Sequence, residues 1–270
     1  MLIDTHCHIN ILIKKNFDVP LLCEEINAAS AVIEQARAHD VSHIINVGTN
    51  FVESKNCVAL AQKYNNCFAA VGIHPNDCTA EWRTELKEIE QLLKNAEKNK
   101  IVAIGECGLD RHYPDYNIAR QKDAFKAQIE LALTHDLALI VHTRDAHDET
   151  LRSLEEFAGQ ITRGVIHCFS EDQSFADQVI AWNFFLGIGG IITYPKNNDL
   201  RAIVKQVTVK NIVLETDAPF LPPQHMRGKT NHPLHIKTVA EYIAQLSDIS
   251  LESVAQETSN NTQRLFRILI

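Results

Sequence analysis

Leu2-Ile3-Asp4-Thr5-His6-Cys7-His8-Ile9-Asn10 opens the chain with a short apolar run that ends in two histidines rather than in a Gly-rich turn. An open, doubly wound sheet advertises a phosphate-binding glycine turn after its first strand, and none stands here. Side chains of a strand alternate faces, so His6 and His8 point to one side of the strand end while Cys7 points elsewhere. Neutral imidazole is the commonest protein metal ligand, and the pair reads as half of a metal site. Alone, it is as readily a chance feature near a terminus. Its meaning comes from the ligand-type residues that recur at later strand ends.

Working outward, seven more apolar runs follow the first one at 2–6: 43–47, 68–73, 101–105, 138–142, 164–168, 184–188 and 212–215. Most are short, rich in Val and Ile, and nearly continuous in apolarity, as strands of a parallel sheet covered on both faces must be. Helical patterns lie between them, at 24–39, 51–64, 84–98, 119–135, 146–157, 175–182, 200–207 and 235–246. Eight strand–helix units without a strand-only hairpin predict a closed (β/α)8 TIM-type barrel. An extra C-terminal helix over 251–266 is expected to pack outside it.

At 270 residues and 45% hydrophobic, the chain can bury one large α/β core or two small ones. Without a low-complexity stretch or a Pro/Gly/Ser linker, residues 1–270 read as a single hydrolase barrel. No stretch reaches the apolar length of a membrane span, and an acid and two histidines stand where a signal peptide would be basic and then apolar. The seven cysteines are odd in number and lack a C-x-x-C pair, which fits a reducing compartment; the expected location is cytoplasmic. A formal charge of −8 argues against an extended grip on nucleic acid, though not against a strand end or a small phosphate-bearing substrate. Divalent cations in a site would reverse the local field.

In a (β/α)8 barrel the carboxyl ends of the strands share one mouth, so residues far apart in sequence meet there. The strand ends of this chain carry His6, His8, His74, Glu106, His142, His167, Glu215 and Asp217. His142 or His167 met singly is more often a core histidine, but two at equivalent strand ends favour ligands. Glu106 follows the apolar run directly, and a carboxylate has two oxygens with which to bridge two hard cations. Asp110, a few residues on, reads equally as a helix cap or loop residue. Asp217 is favoured as ligand and proton acceptor, and Glu215, two residues earlier, as a partner that orients an imidazole. His74 precedes Pro75 and is placed near substrate rather than on a metal. Six ligand groups exceed one tetrahedral ion, whereas two ions about 3.5–4 Å apart sharing Glu106 would use them all. His6, His8 and Asp217 would complete one shell, and His142 with His167 the other. Zn²⁺, Mn²⁺, Fe²⁺ and Mg²⁺ all suit this donor set. Such a pair of ions lowers the pKa of a bound water toward neutrality, which is the chemistry of hydrolysis.

Taken together, Asp4-Thr5-His6-Cys7-His8, Gly72-Ile73-His74-Pro75, Ile104-Gly105-Glu106-Cys107-Gly108-Leu109-Asp110, His142-Thr143-Arg144-Asp145-Ala146, His167-Cys168-Phe169-Ser170, Thr193-Tyr194-Pro195-Lys196-Asn197 and Glu215-Thr216-Asp217-Ala218-Pro219 resemble the TatD family of metal-dependent deoxyribonucleases, among the amidohydrolase-like barrels. The resemblance spans almost the whole chain. It implies metal ligation by His6, His8, Glu106, His142, His167 and Asp217, two divalent ions, and phosphodiester hydrolysis that trims DNA, single-stranded or at strand ends, from the 3′ side. Asp217 would accept the proton of the attacking water. Arg144, Lys196 and Arg227 are candidate phosphate contacts, each equally readable as an exposed loop cation. Two departures from the family pattern fall near the mouth: Arg111-His112 where aromatic residues are usual, and Glu171 where Gly is usual. The alternative reading is a two-metal hydrolase of a small amide, lactone or phosphoester, since the same core attacks carbon as well as phosphorus. No lysine stands at the strand end that Glu106 occupies, which leans toward the nuclease branch. A barrel that binds without catalysis would be expected to have lost a ligand, and all six are present.

Overall fold

A computed structural model describes residues 1–14 and 16–269. Eight parallel strands form one sheet in the order of the sequence: β1 Leu2–Cys7, β2 Val41–Val47, β3 Cys67–Val71, β4 Ile101–Asp110, β5 Ala138–Arg144, β6 Gly164–Ile166, β7 Phe184–Ile188 and β8 Ile212–Leu214. The two ends of the sheet meet through a parallel bridge between Cys7 and Ala218. At this seam the Thr5 hydroxyl donates to the Leu214 carbonyl over 2.9 Å, and the Asp217 and His8 amides donate to the His6 and Ala218 carbonyls over 2.9 and 2.7 Å. The helices are α1 Ile9–Leu12, α2 Cys23–Arg37, α3 Phe51–Lys63, α4 Trp82–Leu93, α5 Ile118–Thr134, α6 His147–Glu155, α7 Gln173–Ala181, α8 Asn198–Val207, α9 Ile236–Ser247 and α10 Leu251–Phe266. The expected (β/α)8 barrel is the fold. All seven cysteines are free, and no helix among the described residues is long and apolar enough to cross a membrane.

Strand alternation divides the apolar residues into two cores. One set packs outward under the helices. The other fills the barrel: Ile45 and Val47 of β2, Ala70 of β3, Ala138 and Ile140 of β5, Val165 of β6 and Val213 of β8. Continuing the period of two along β5, β6 and β8 brings His142, His167 and Glu215 to the same interior face. The functional side chains are thus the topmost layer of the barrel filling.

Leu265, Phe266 and Ile268 belong to this same interior cluster. The final helix packs against β1 and β8 from outside, as expected, and its end also turns under the barrel to form the floor. The sequence hides that second role, because the last two apolar residues simply prolong the helix pattern.

The strand β4 differs most from expectation. The apolar run stops at Gly105, yet the strand continues to Asp110 with a register shift between Ile104 and Cys107. Gly105 and Gly108 have φ of 147° and 145°, where side chains are strained. A Cβ on Gly108 would lie 2.0 Å from the His142 carbonyl oxygen. Glycine therefore lets β4 run on beside β5 while its side chains change phase. In contrast, β6 and β8 stop before the residues expected to end them, at Ile166 and Leu214. Past those points Cys168 and Asp217 take φ of 47° and 57°, and the backbone leaves the sheet.

Candidate metal centre

Glu106 occupies the middle of the mouth, 4% exposed. Its Oε2 lies 3.2 Å from His6 Nε2 and 3.8 Å from His8 Nε2. Its Oε1 lies 2.7 Å from His142 Nδ1 and 3.7 Å from His167 Nε2. Oε2 thus faces His6 and His8, and Oε1 faces His142 and His167 with His74 also near it. Asp217 Oδ1 is 3.4 Å from His8 Nε2 and 3.8 Å from both His6 Nε2 and His167 Nε2. The structure brings all six expected ligands together.

Ring hydrogen bonds fix what the imidazoles present to one another. His8 Nδ1 lies 2.7 Å from the Val47 carbonyl, which only accepts, so Nδ1 carries the proton and Nε2 turns its lone pair to Glu106 and Asp217. His167 Nδ1 lies 2.9 Å from Glu215 Oε1, an ion-pair contact off hydrogen-bond alignment, and its Nε2 faces Glu106 and Asp217. His142 Nε2 faces Asp110 Oδ2 at 3.2 Å, leaving Nδ1 toward Glu106. Lone pairs aimed at carboxylate oxygens repel unless a proton or a cation lies between them. The donor set therefore fits divalent cations, and without them protons take their place. Burial pushes the His167 pKa down, but the Glu215, Glu106 and Asp217 carboxylates outweigh it and raise the group to about 10. His8 and His142 are raised in the same way against burial, chiefly by hydrogen bonds to Asp217 and to Asp110. Burial would raise Glu106, yet the imidazoles of His167, His6 and His74 hold it well below the usual carboxylate range. His6 is lowered by burial and by His167, on which its ring stacks at 3.5 Å.

His74 differs from its neighbours. Its Nδ1 accepts the Asn76 backbone N–H over 3.1 Å, so the neutral ring offers an N–H at Nε2, 3.6 Å from Glu106 Oε1. Burial and nearby His142 lower its pKa to about 3, which keeps it neutral. It stands at the edge of the cluster as a donor.

Three supporting carboxylates complete the arrangement. Glu215 sits against His167 and accepts the Cys168 N–H over 2.7 Å, as the sequence foresaw for an orienting partner. Gly187 makes room for it, since a Cβ there would lie 2.3 Å from Glu215 Oε2. Asp110 accepts from His142, from Asn76 Nδ2 over 2.9 Å and from the His112 N–H over 2.8 Å, so it positions an imidazole and is not merely a loop residue. Asp4 accepts from the Thr216 hydroxyl and N–H over 2.6 and 2.9 Å, tying β1 to the segment that carries Asp217. Sequence reading passed over Asp4 and Thr216. The available signal was that Asp4 lies in phase with His6. Among the described residues several overlapping groups suit a cation, including His6, His8 and Glu106, and Glu106, His142 and His167.

The candidate phosphate contacts are more scattered. Arg144 is exposed at the end of β5, and Lys196 is exposed in the loop after β7. Arg227, beyond β8, rests its guanidinium 4.7 Å above the Tyr194 ring.

A parallel barrel with buried histidines and carboxylates converging at its carboxyl-terminal mouth defines a metal-dependent hydrolase of the amidohydrolase-like class. A family model described as TatD related DNase matches residues 3–267, and the chain belongs to that family. It is 36% identical over 268 residues to the uncharacterized metal-dependent hydrolase YabD of Bacillus subtilis, covering 99% of this chain and all of that protein. It is 31% identical over 243 residues to the 3′-5′ ssDNA/RNA exonuclease TatD of Pectobacterium carotovorum, covering 88% of this chain and 92% of that one. The crystal structure of YjjV, a TatD homologue from Escherichia coli, superposes with a TM-score of 0.89 at 29% identity, covering 99% of this chain and 98% of the other.

Proposed function

We propose that the protein hydrolyses phosphodiester bonds of DNA, trimming single strands or strand ends from the 3′ side, with His6, His8, Glu106, His142, His167 and Asp217 holding two divalent cations. The observation that carries this reading is the disposition of Glu106, whose two oxygens face His6 with His8 and His142 with His167. The kinship with a 3′-5′ ssDNA/RNA exonuclease supports the substrate class. Bound divalent cations, Mg²⁺, Mn²⁺ or Zn²⁺, supply Lewis acidity toward the phosphate oxygens and toward water.

The remaining steps fall to side chains. Asp217, with 13% of its side chain exposed against 5% for Glu106, is the central carboxylate nearer the mouth, and it takes the proton of the attacking water. The water oxygen bonds to phosphorus as the bond to the 3′ oxygen breaks. His74 donates from Nε2 to a phosphate oxygen in its neutral form, while Lys196 and Arg227 hold phosphates on one side of the mouth and Arg144 one on the other.

The test gives purified protein each of the three cations with end-labelled single-stranded DNA, and in parallel a panel of lactones and amides. A ladder shortening from the 3′ end is expected. Turnover of only the lactones or amides would move the protein to the small-molecule branch of the same barrel class.

A further inference from the structure

The rim of the mouth is electrically lopsided. The segments at 189–197 and 218–235 contain no acidic residue and carry Lys196, Arg227 and Lys229. All three are exposed, and among the described residues none lies within salt-bridge distance of a carboxylate. The opposite flank presents Asp115, Asp145, Asp148, Glu149, Glu171 and Asp172. Several basic side chains there are already engaged: Arg111 pairs with Glu149 at 2.9 Å, and the His112 and His147 rings lie 3.3 and 3.1 Å from Asp145 and Glu171. The two departures from the family pattern, Arg111-His112 and Glu171, thus both take part in these contacts. In a chain of net charge −8, the basic flank is the side of the mouth a polyanion would take.

On that flank an aromatic ring stands free. Phe220 is 44% exposed, and its ring centre lies 5.9 Å from that of His8. Its backbone is well anchored: the Phe220 N–H donates to the Asp217 carbonyl over 2.7 Å, and the buried Asn231 amide donates to the Phe220 and Thr216 carbonyls, each over 2.7 Å. With the adjoining Leu221, 38% exposed, Phe220 forms an apolar patch at the edge of the mouth. Beyond it, the Tyr194 hydroxyl donates to the Pro222 carbonyl over 2.9 Å, and that tyrosine carries the Arg227 guanidinium on its face. A flat apolar platform next to the reacting centre, followed by a fixed cation, is the arrangement single-stranded nucleic acid uses: bases stack and phosphates pair.

We infer that Phe220 stacks a nucleobase beside the scissile bond, and that the strand leaves the centre over the 218–231 loop toward Arg227, away from the acidic flank. The inference rests on the nuclease reading above and specifies the path of its substrate.

The experiment is a cycle on the wild-type enzyme and the Phe220→Ala and Phe220→Trp variants with a short single-stranded oligothymidylate. One nucleotide flanking the scissile bond is replaced in turn by dihydrothymidine, whose ring is neither flat nor aromatic. Phe220→Ala should lower kcat/KM on the intact strand about tenfold, mainly through KM, and Phe220→Trp should retain it. At one position dihydrothymidine should cost the wild type about as much, and the two losses should fail to add. Losses that multiply at every position would mean that Phe220 acts on the centre through His8, and would overturn the inference. So would an alanine variant within about twofold of wild type on the intact strand. A wild type that cleaves lactones or amides but no oligonucleotide would instead bring down the nuclease reading itself, and the inference with it.

Discussion

At the scale of single residues, His8 and His167 show how a metal site is prepared before any ion arrives. His8 gives its Nδ1 proton to the Val47 carbonyl, His167 sets its Nδ1 against the Glu215 carboxylate, and each ring turns its Nε2 inward. Replacing Glu215 by Gln removes the charge that holds His167 while keeping a similar shape. Metal affinity measured by chelator competition should fall about 10- to 100-fold; unchanged affinity would leave Glu215 without an orienting role. Asp217→Asn should keep most of the bound metal and abolish turnover, and unaltered turnover would remove Asp217 as the proton acceptor. Glu215 was readable from the sequence because it lies in phase with Val213 and two residues before Asp217. Asp110 was not, because its strand is interrupted by two glycines and reads as a loop. Only the fold shows that it grips His142.

At the scale of elements, β4 carries more than its apolar run announces. Gly108 pairs with His142 across β4 and β5, at a spacing that no side chain tolerates. Gly108→Ala should therefore lose about 2–3 kcal/mol or more of stability and shift His142 relative to Glu106. Lower denaturation midpoints together with weakened metal binding would report both effects; a variant as stable as wild type would show that β4 and β5 can separate locally without cost. The count and order of strands and helices were legible because period and apolarity repeat eight times. The strand ends were not. At Glu106, His167 and Glu215 the sequence turns polar while the backbone is still in, or only just leaving, the sheet, so hydrophobicity ceases to mark the boundary exactly where function begins.

At the scale of the molecule, the crowd of imidazoles and carboxylates makes stability depend on pH and metal in opposite senses. His167 is raised in the metal-free fold to about 10, from about 6.5 when unfolded. Its contribution is fully present below about pH 6.5 and is lost as pH rises through about 10. Metal binding releases those protons, so it strengthens as pH rises. The gap in melting temperature between metal-loaded and chelated protein should widen from about pH 6.5 to pH 8.5; a gap that narrows would contradict the proposed ligand set. DNA affinity should be modest and only weakly salt-dependent, because the basic flank is small, and a steep log–log slope would argue for a much larger contact surface. The barrel seam, finally, has a consequence for how the protein is made. His6 and His8 leave the ribosome long before Asp217, which faces them across the seam and follows them by about 210 residues. Until then the growing polypeptide offers an unfinished chelator, and the enzyme can acquire its complete centre only after β8 and the segment carrying Asp217 have emerged.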